Sequence, residues 1–303
     1  MTVPQIKMGP EGPPVSRLAL GLWRLADWRL TGTQILDLIH AGLDLGITTF
    51  DHADIYGDYR CEQLFGRALA LQPALRESLQ LVTKCGIRLV SARRPAHTIK
   101  HYDTGRAHIT ASVENSLQML GTDRIDLLLI HRPDPLMDPD DVAQAFTALR
   151  RAGKVLHFGV SNFTPSQFEL LSSRLDFALV TNQIELSVLH LDTLHDGTVD
   201  QCLRLGIAPM AWSPLGGGRL FQAGDEQALR VREALQAAGK ELGGAPLDQV
   251  ALAWILRHPA RIVPILGTGK LERIRSAAGA VALDLSREQW FRIWTASAGK
   301  PVP

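Results

Sequence analysis

The chain has 303 residues, 46% of them hydrophobic and 21% charged, which is enough apolar material for a large core. Its 32 basic and 31 acidic residues nearly cancel, and that balance argues against nucleic-acid and membrane-surface partners. No apolar run approaches membrane-spanning length, and the start, Met1-Thr2-Val3-Pro4-Gln5, lacks the charged-then-apolar order of an export signal. Cys61, Cys85 and Cys202 form neither a C-x-x-C pair nor a metal-spaced cluster, so a reduced, cytoplasmic protein without metal is expected.

Residues 5–8 and 14–18 flank Gly9-Pro10-Glu11-Gly12-Pro13, whose turn chemistry predicts a β-hairpin that plugs one end of the body. Leu18–Gly21 reads as a buried strand. From there the chain alternates. Residues 33–45 place Ile35, Leu36, Leu38, Ile39 and Leu43 at helical spacing, closed by Gly46. Residues 47–51 predict a strand, 61–71 a helix and 79–85 a strand. Residues 86–104 read as irregular and carry Arg88, Arg93, Arg94, His97, Lys100 and His101. A helix is expected over 109–120, and the clearest strand over 124–131, Ile-Asp-Leu-Leu-Leu-Ile between charged ends. Then follow a helix over 140–151, a strand over 155–160, a helix over 166–175, a strand over 179–184, a helix over 198–205 and a strand over 208–212. A Gly-rich loop at 214–224 precedes helices near 226–242 and 247–258. A strand over 262–266 and helices near 270–278 and 286–298 complete the chain.

Eight strands after the hairpin, each followed by a helix, predict a parallel sheet with helices on its faces, and that number fits a closed (β/α)8 TIM barrel with extra C-terminal helices. An open doubly wound sheet is the competitor. It would place G-x-G-x-x-G after the first strand, where this chain has Gly21-Leu22-Trp23-Arg24. No composition break divides the sequence, so one domain over 1–303 is expected.

In a barrel, chemistry sits at the C-terminal ends of the strands. Trp23, Asp51, Lys84, His131, Ser161, Asn162, Gln183, Trp212, Gly267 and Thr268 all fall there, and Tyr56 follows Asp51 closely. Taken singly, Asp51 reads as a cap, Lys84 as a solvated strand-end residue, His131 as a turn histidine and Tyr56 as packing. Together they suit carbonyl reduction, in which the carbonyl oxygen must gain a proton as the carbon gains a hydride. Tyr56 is the expected acid. Bringing a phenol from about 10 to near neutrality takes roughly 4 kcal/mol, which Lys84 is expected to supply by opposite charge. Asp51 would orient Lys84, and His131 would donate to the substrate oxygen.

Two stretches suit a phosphate-bearing ligand. In Trp212-Ser213-Pro214-Leu215-Gly216-Gly217-Gly218-Arg219, glycines allow close backbone approach to a diphosphate and Arg219 adds charge. Gly267-Thr268-Gly269-Lys270-Leu271-Glu272-Arg273 stands at a strand-to-helix junction, and Lys270 and Arg273 would suit the 2′-phosphate of NADP. Ordinary exposed basic residues explain that pair equally well.

The sequence resembles the aldo-keto reductases over about residues 15–280. The resemblance rests on Gly46-Ile-Thr-Thr-Phe-Asp-His-Ala-Asp-Ile-Tyr-Gly57 and Ser116-Leu-Gln-Met-Leu-Gly-Thr-Asp-Arg-Ile-Asp-Leu-Leu-Leu-Ile-His131-Arg-Pro-Asp134. Gly159-Val-Ser-Asn-Phe163, Asn182-Gln-Ile-Glu185 and Ser213-Pro-Leu-Gly216 follow in the family's order. Residues 267–273 and 287–293 look most like the bacterial YdhF-type oxidoreductases. The resemblance implies Asp51, Tyr56, Lys84 and His131 as the catalytic four, NADPH/NADP+ as cofactor and a small carbonyl compound as substrate. It implies that Ser161, Asn162 and Gln183 hold the nicotinamide carboxamide, that Trp212 stacks on its ring, and that Ser213, Leu215 and Gly216 line the pyrophosphate. Thr268 and Arg273 would hold the 2′-phosphate, while Gly21, Trp23, Asp51, Arg219, Gly267, Gly269 and Lys270 complete the expected cofactor set. Many members have Lys-Ser where this chain has Gly267-Thr268, and an acid and Asn at the adenine where it has Ser276-Ala277. The same fold also serves accessory and sensing subunits, and the intact four favour the enzyme. Monomer and homo-oligomer stay equally open.

Overall fold

The computed structural model describes residues 2–303, in which eight parallel strands close into a barrel. In chain order they are β1 (Ala19–Gly21), β2 (Thr49–Asp51), β3 (Gln80–Cys85), β4 (Ile125–Ile130), β5 (Val155–Ser161), β6 (Leu179–Glu185), β7 (Met210–Trp212) and β8 (Val263–Leu266). Each pairs with its sequence neighbour, and β8 closes onto β1 through Ile265 opposite Ala19 and Leu266 opposite Leu20. Helices cover the outside, among them Gly32–Asp44, Cys61–Leu69, Arg106–Leu120 and Pro139–Arg151, with Arg287–Ala298 last. Local chemistry sets their ends. Thr31, Thr164 and Ser286 each form a reciprocal capping box with the Gln three residues on. Gly121, Gly206 and Gly299 end helices in the left-handed conformation. Among the described residues no helix is long and apolar enough to cross a membrane.

The hairpin Gln5–Lys7 with Pro14–Ser16 closes the end of the barrel opposite the strand C-termini. Its Met8 and Val15 pack into the interior with Ala19, Val82, Leu127, Leu129, Met210, Val263 and Ile265. That interior set fixes the parity of β3, β4 and β7, because side chains alternate faces with a period of two. Two residues beyond Val82 comes Lys84, two beyond Leu129 comes His131, and two beyond Met210 comes Trp212. The residues that fill the barrel floor therefore aim these three side chains into its mouth.

Two loops hold more structure than their sequence signals. Within 86–104, Ile87–Arg88 pairs antiparallel with His101–Tyr102, a ladder too short to show any periodicity. Arg88 to Asp103, at 2.8 Å, pins it. In the Gly-rich loop, Gly216–Gly218 makes a tight turn that leads directly into the single helical turn Arg219–Gln222.

Helix Cys61–Leu69 approaches helix Arg106–Leu120 at Gly66, where an added Cβ would stand 2.1 Å from the carbonyl oxygen of Met119. Ala at an ordinary helix-interior position gains about 1 kcal/mol over Gly. Here the clash reverses the sign. Gly66→Ala should lower stability by roughly 2 kcal/mol, read as a lower urea midpoint at unchanged slope.

Candidate active site

β2 ends in Asp51, paired in register with Gly21 of β1 and Val82 of β3. The chain then leaves the sheet on backbone bonds from His52 N–H to the Val82 carbonyl (2.8 Å) and from Asp54 N–H to the Lys84 carbonyl (3.1 Å). It folds over in a tight turn at Tyr56–Tyr59, in which Gly57, Asp58 and Tyr59 all have positive φ, at 57°, 56° and 62°. A Cβ at Gly57 would also meet Cys61 Sγ at 2.6 Å and Ala26 Cβ at 2.7 Å, so only glycine fits. Two non-glycine residues in this region store backbone strain, and the strain lies in the turn that presents Tyr56.

Lys84 reaches this turn from β3 with no exposed surface. Its ammonium donates to both oxygens of Asp51 at 2.8 Å, to the His52 carbonyl at 2.6 Å and to Tyr56 Oη at 3.1 Å. The His131 ring stands edge-on to Tyr56 with centroids 5.8 Å apart. The four residues that the sequence singles out thus come together at one mouth.

Burial alone would lower the Lys84 ammonium, but Asp51 and then Tyr56 raise it, so it stays charged. For Tyr56 the balance runs opposite to the sequence expectation. Burial raises the phenol, Lys84 pulls it down and Asp51 pushes it up again, and the net direction is upward. The phenol is therefore protonated at neutral pH, the form a proton donor needs. His131 is held well below its ordinary value by burial and then by Lys84, Arg132 and Lys100, so its imidazole is neutral.

A second set of contacts runs round the mouth from the far side. Trp212 Nε1 donates to Asn162 Oδ1 (2.9 Å), Asn162 Nδ2 to Ser161 Oγ (2.7 Å), and Ser161 Oγ to the Gln183 carbonyl (3.0 Å). Gln183 Nε2 then donates to Asp51 Oδ1 at 2.8 Å. Asn162 and Ser213 both adopt positive φ, at 61° and 50°, where their strands end. The Arg132 guanidinium lies 5.4 Å from the Trp212 ring centroid.

The remaining expected cofactor residues are placed less uniformly. Trp23 is 58% exposed at the rim, with the Arg24 guanidinium 5.1 Å from its ring centroid. Arg219 is engaged by Asp225 at 2.7 Å and Gln227 at 3.0 Å. Ser213, Leu215 and Gly216 are part-buried along the loop after β7. Gly267, Lys270 and Arg273 are exposed, and the Thr268 hydroxyl accepts from Lys270 N–H at 3.2 Å. Packing supplies its own reason for two glycines. A Cβ on Gly21 would stand 2.7 Å from Ile265, and one on Gly269 would stand 2.6 Å from the Trp28 ring. Ser276 is tied to Asp248 at 2.8 Å.

Sequence reasoning missed a polar layer behind the mouth. Glu62, on the helix after Tyr56, accepts from Thr83 Oγ1 at 2.6 Å and from Ser116 Oγ at 3.0 Å. Asp54 accepts from Ser112 Oγ. Burial pushes both carboxyls up to about 7, against the hydroxyls that donate to them. His52 packs edge-on to Phe65, and burial, then Lys84, holds it down to about 3. Nothing local signals these roles, because an acid in a first helical turn is ordinary.

A closed (β/α)8 barrel with ionisable and amide side chains gathered at the C-terminal mouth has the architecture of a barrel enzyme. The chain belongs to the aldo/keto reductase family: the model of that name, Aldo/keto reductase family, matches residues 17–297. It is 56% identical over 288 residues to the uncharacterized oxidoreductase YcsN of Bacillus subtilis, covering 95% of this chain and 96% of that protein. It is 52% identical over 301 residues to the oxidoreductase YdhF of Escherichia coli, covering 99% and 100%. Among solved structures it resembles a thermostable aldo-keto reductase, Tm1743, crystallised with the inhibitor epalrestat, with TM-score 0.82, 27% identity and coverage of 97% and 99%. The protein is an oxidoreductase of this family.

The buried carboxyls predict a pH dependence. The folded chain keeps protons on Glu62 and Asp54 that the unfolded chain releases near pH 4. Between there and about 7 the folded state binds more protons, so their contribution to stability falls as pH rises. Below about pH 6.5, His52 acts oppositely, since only the unfolded chain takes up its proton. Glu62→Gln should therefore gain stability relative to wild type from about pH 5 to pH 8, by a few kcal/mol at most, in paired urea titrations.

Proposed function

We propose that this protein is an NADP(H)-dependent reductase that converts a small aldehyde or ketone to the alcohol, with Tyr56 as general acid. The observation that carries the reading is the completely buried Lys84 ammonium, held by both oxygens of Asp51 and 3.1 Å from the Tyr56 hydroxyl. A neutral phenol with an ammonium beside it gives up its proton as negative charge develops on the substrate oxygen. The ammonium then stabilises the phenolate left behind. Neutral His131, facing Tyr56 across the mouth, can donate an N–H to the same oxygen and fix the carbonyl before transfer. Asp51 holds Lys84 in place and Gln183 holds Asp51.

The rim fits a dinucleotide. Gly218 and Gly267 have no atom within 4 Å of where a Cβ would lie, which leaves open backbone on the two loops expected to follow the diphosphate. Lys270 and Arg273 are exposed beside the start of helix Leu271–Ala278. Trp212, half-buried, stands at the mouth beside Ser161 and Asn162. Ser161, Asn162, Gln183 and Trp212 would hold the nicotinamide end. Ser213, Leu215, Gly216 and Gly267 would line the pyrophosphate, with Gly21, Trp23 and Gly269 shaping the rim. Thr268, Lys270 and Arg273 would hold the 2′-phosphate, and Arg219 would contribute through its field while bound to Asp225. A bound reduced nicotinamide supplies the hydride. Three buried free cysteines suit a reducing, cytoplasmic setting.

Tyr56→Phe should keep the NADPH dissociation constant and lose on the order of 10²–10⁴-fold in kcat with a reactive aldehyde, followed as NADPH absorbance. Unchanged turnover would overturn the assignment of Tyr56. Absence of even a single turnover in wild type, with NADPH bound, would instead favour a sensing or accessory role.

Arg273→Gln should raise the dissociation constant for NADPH by about tenfold and leave that for NADH unchanged, measured by fluorescence titration of both cofactors. Equal loss for both would remove Arg273 from the 2′-phosphate.

A further inference from the structure

A second polar cavity, of about 310 Å³, lies on the outer side of the β2 end. Asp51 and Lys84 aim into the barrel, but Asp54 turns away from it to accept from Ser112 on helix Arg106–Leu120. The cavity opens between that helix, Tyr59 and the segment 88–97. Carbonyl reduction at the mouth makes no use of it.

Its walls are built rather than incidental. The Arg94 guanidinium lies over the Tyr59 ring, 4.9 Å from the centroid, and donates to Asn115 Oδ1 at 3.3 Å. Arg88 is fixed by Asp103 at 2.8 Å and donates through Nε to His97 at 3.1 Å. Tyr59 Oη accepts from Leu89 N–H at 2.8 Å, which fastens the loop over the cavity. Two buried atoms among its lining residues lack any partner among the described residues: Asp54 Oδ1 and His108 Nε2. Asp54 is only 6% exposed. An unpaired buried carboxyl oxygen is costly, and here it borders the same space as an unpaired imidazole nitrogen.

We propose that this cavity is a binding site for a small oxyanion, the phosphate-type group of a compact ligand, held by Arg94 and Arg88 and completed by His108 and Asp54. Two guanidinium groups match anionic oxygens in charge and geometry. Asp54 joins them as a donor. Burial lifts its carboxyl to about 7, Glu62 on the neighbouring helix adds to the rise, and Ser112 and Arg94 oppose it. A protonated Asp54 offers an O–H to the anion, and His108 Nε2 offers a second contact. The cavity exceeds the size of a bare ion, so both free phosphate and a small phosphate ester fit its chemistry.

The test is calorimetric titration of inorganic phosphate and, separately, of glycerol phosphate into the full-length protein at about pH 6. Saturable binding of one phosphate per chain is expected, weakened at least about tenfold by Arg94→Gln. Asp54→Asn, which keeps a donor without the charge, should bind phosphate at least as tightly as wild type at about pH 8. Binding should persist in Arg273→Gln, which separates this cavity from the proposed cofactor rim. Tighter binding of glycerol phosphate than of inorganic phosphate would mark an ester as the occupant, and equal binding the free ion; both support the site. No saturable binding, or binding that survives Arg94→Gln and is lost in Arg273→Gln, would overturn it. Neither result bears on the role of Tyr56.

Discussion

One buried ammonium organises the mouth of this barrel. Lys84 has no solvent contact, and it compensates for that by donating to a carboxylate, a backbone carbonyl and a phenol. A buried cation survives only when paired and hydrogen-bonded. Asp51 supplies the countercharge from β2, and the His52 carbonyl supplies a neutral acceptor as the chain leaves the sheet. The strained turn after it has a purpose in this light. It returns Tyr56 to within 3.1 Å of the charge instead of letting the chain run out to solvent.

The ammonium also connects the two halves of the mouth. From Lys84 the contacts pass through Asp51 to Gln183, and from the Gln183 carbonyl to Ser161, Asn162 and Trp212. These residues come from β2, β3, β5, β6 and β7 or the chain just beyond them. On β3, β4 and β7 the apolar residue on the floor leaves the next inward position to Lys84, His131 and Trp212, whereas on β6 the floor residue is Val180 and Gln183 follows three residues later, beyond a shift in register with β5. On β3, β4 and β7, packing at one end of the barrel and polar chemistry at the other are thus two consequences of one period-two pattern.

That pattern explains which parts of the protein were legible in the sequence. The strand over 124–131 and the alternation around it announced the barrel, and Asp51, Lys84 and His131 stood out because ionisable residues ended apolar runs. Helix ends were readable wherever chemistry marks them, as at Gly121 and Gly206. The short ladder in 86–104 was not readable, since two paired residues per strand carry no period. Direction of titration was not readable either. Proximity of Lys84 to Tyr56 was correctly anticipated, but the net shift depends on desolvation, which is a property of the packed surroundings and of no residue type. Glu62 and Asp54 were missed for the same reason: their partners Thr83, Ser116 and Ser112 are distant in sequence and individually unremarkable.

The hidden carboxyls complete the electrostatic logic of the site. Lys84 lies between Asp51 in the barrel and Glu62 behind its own strand, where Thr83 links β3 to the outer helix. Were Glu62 fully ionised, a second carboxylate would compete with the phenol for the field of one ammonium. Burial outweighs the two hydroxyl donors and keeps Glu62 half-neutral near pH 7, and Asp54 likewise. The cation therefore acts mainly on the two side chains it touches directly, Asp51 and Tyr56.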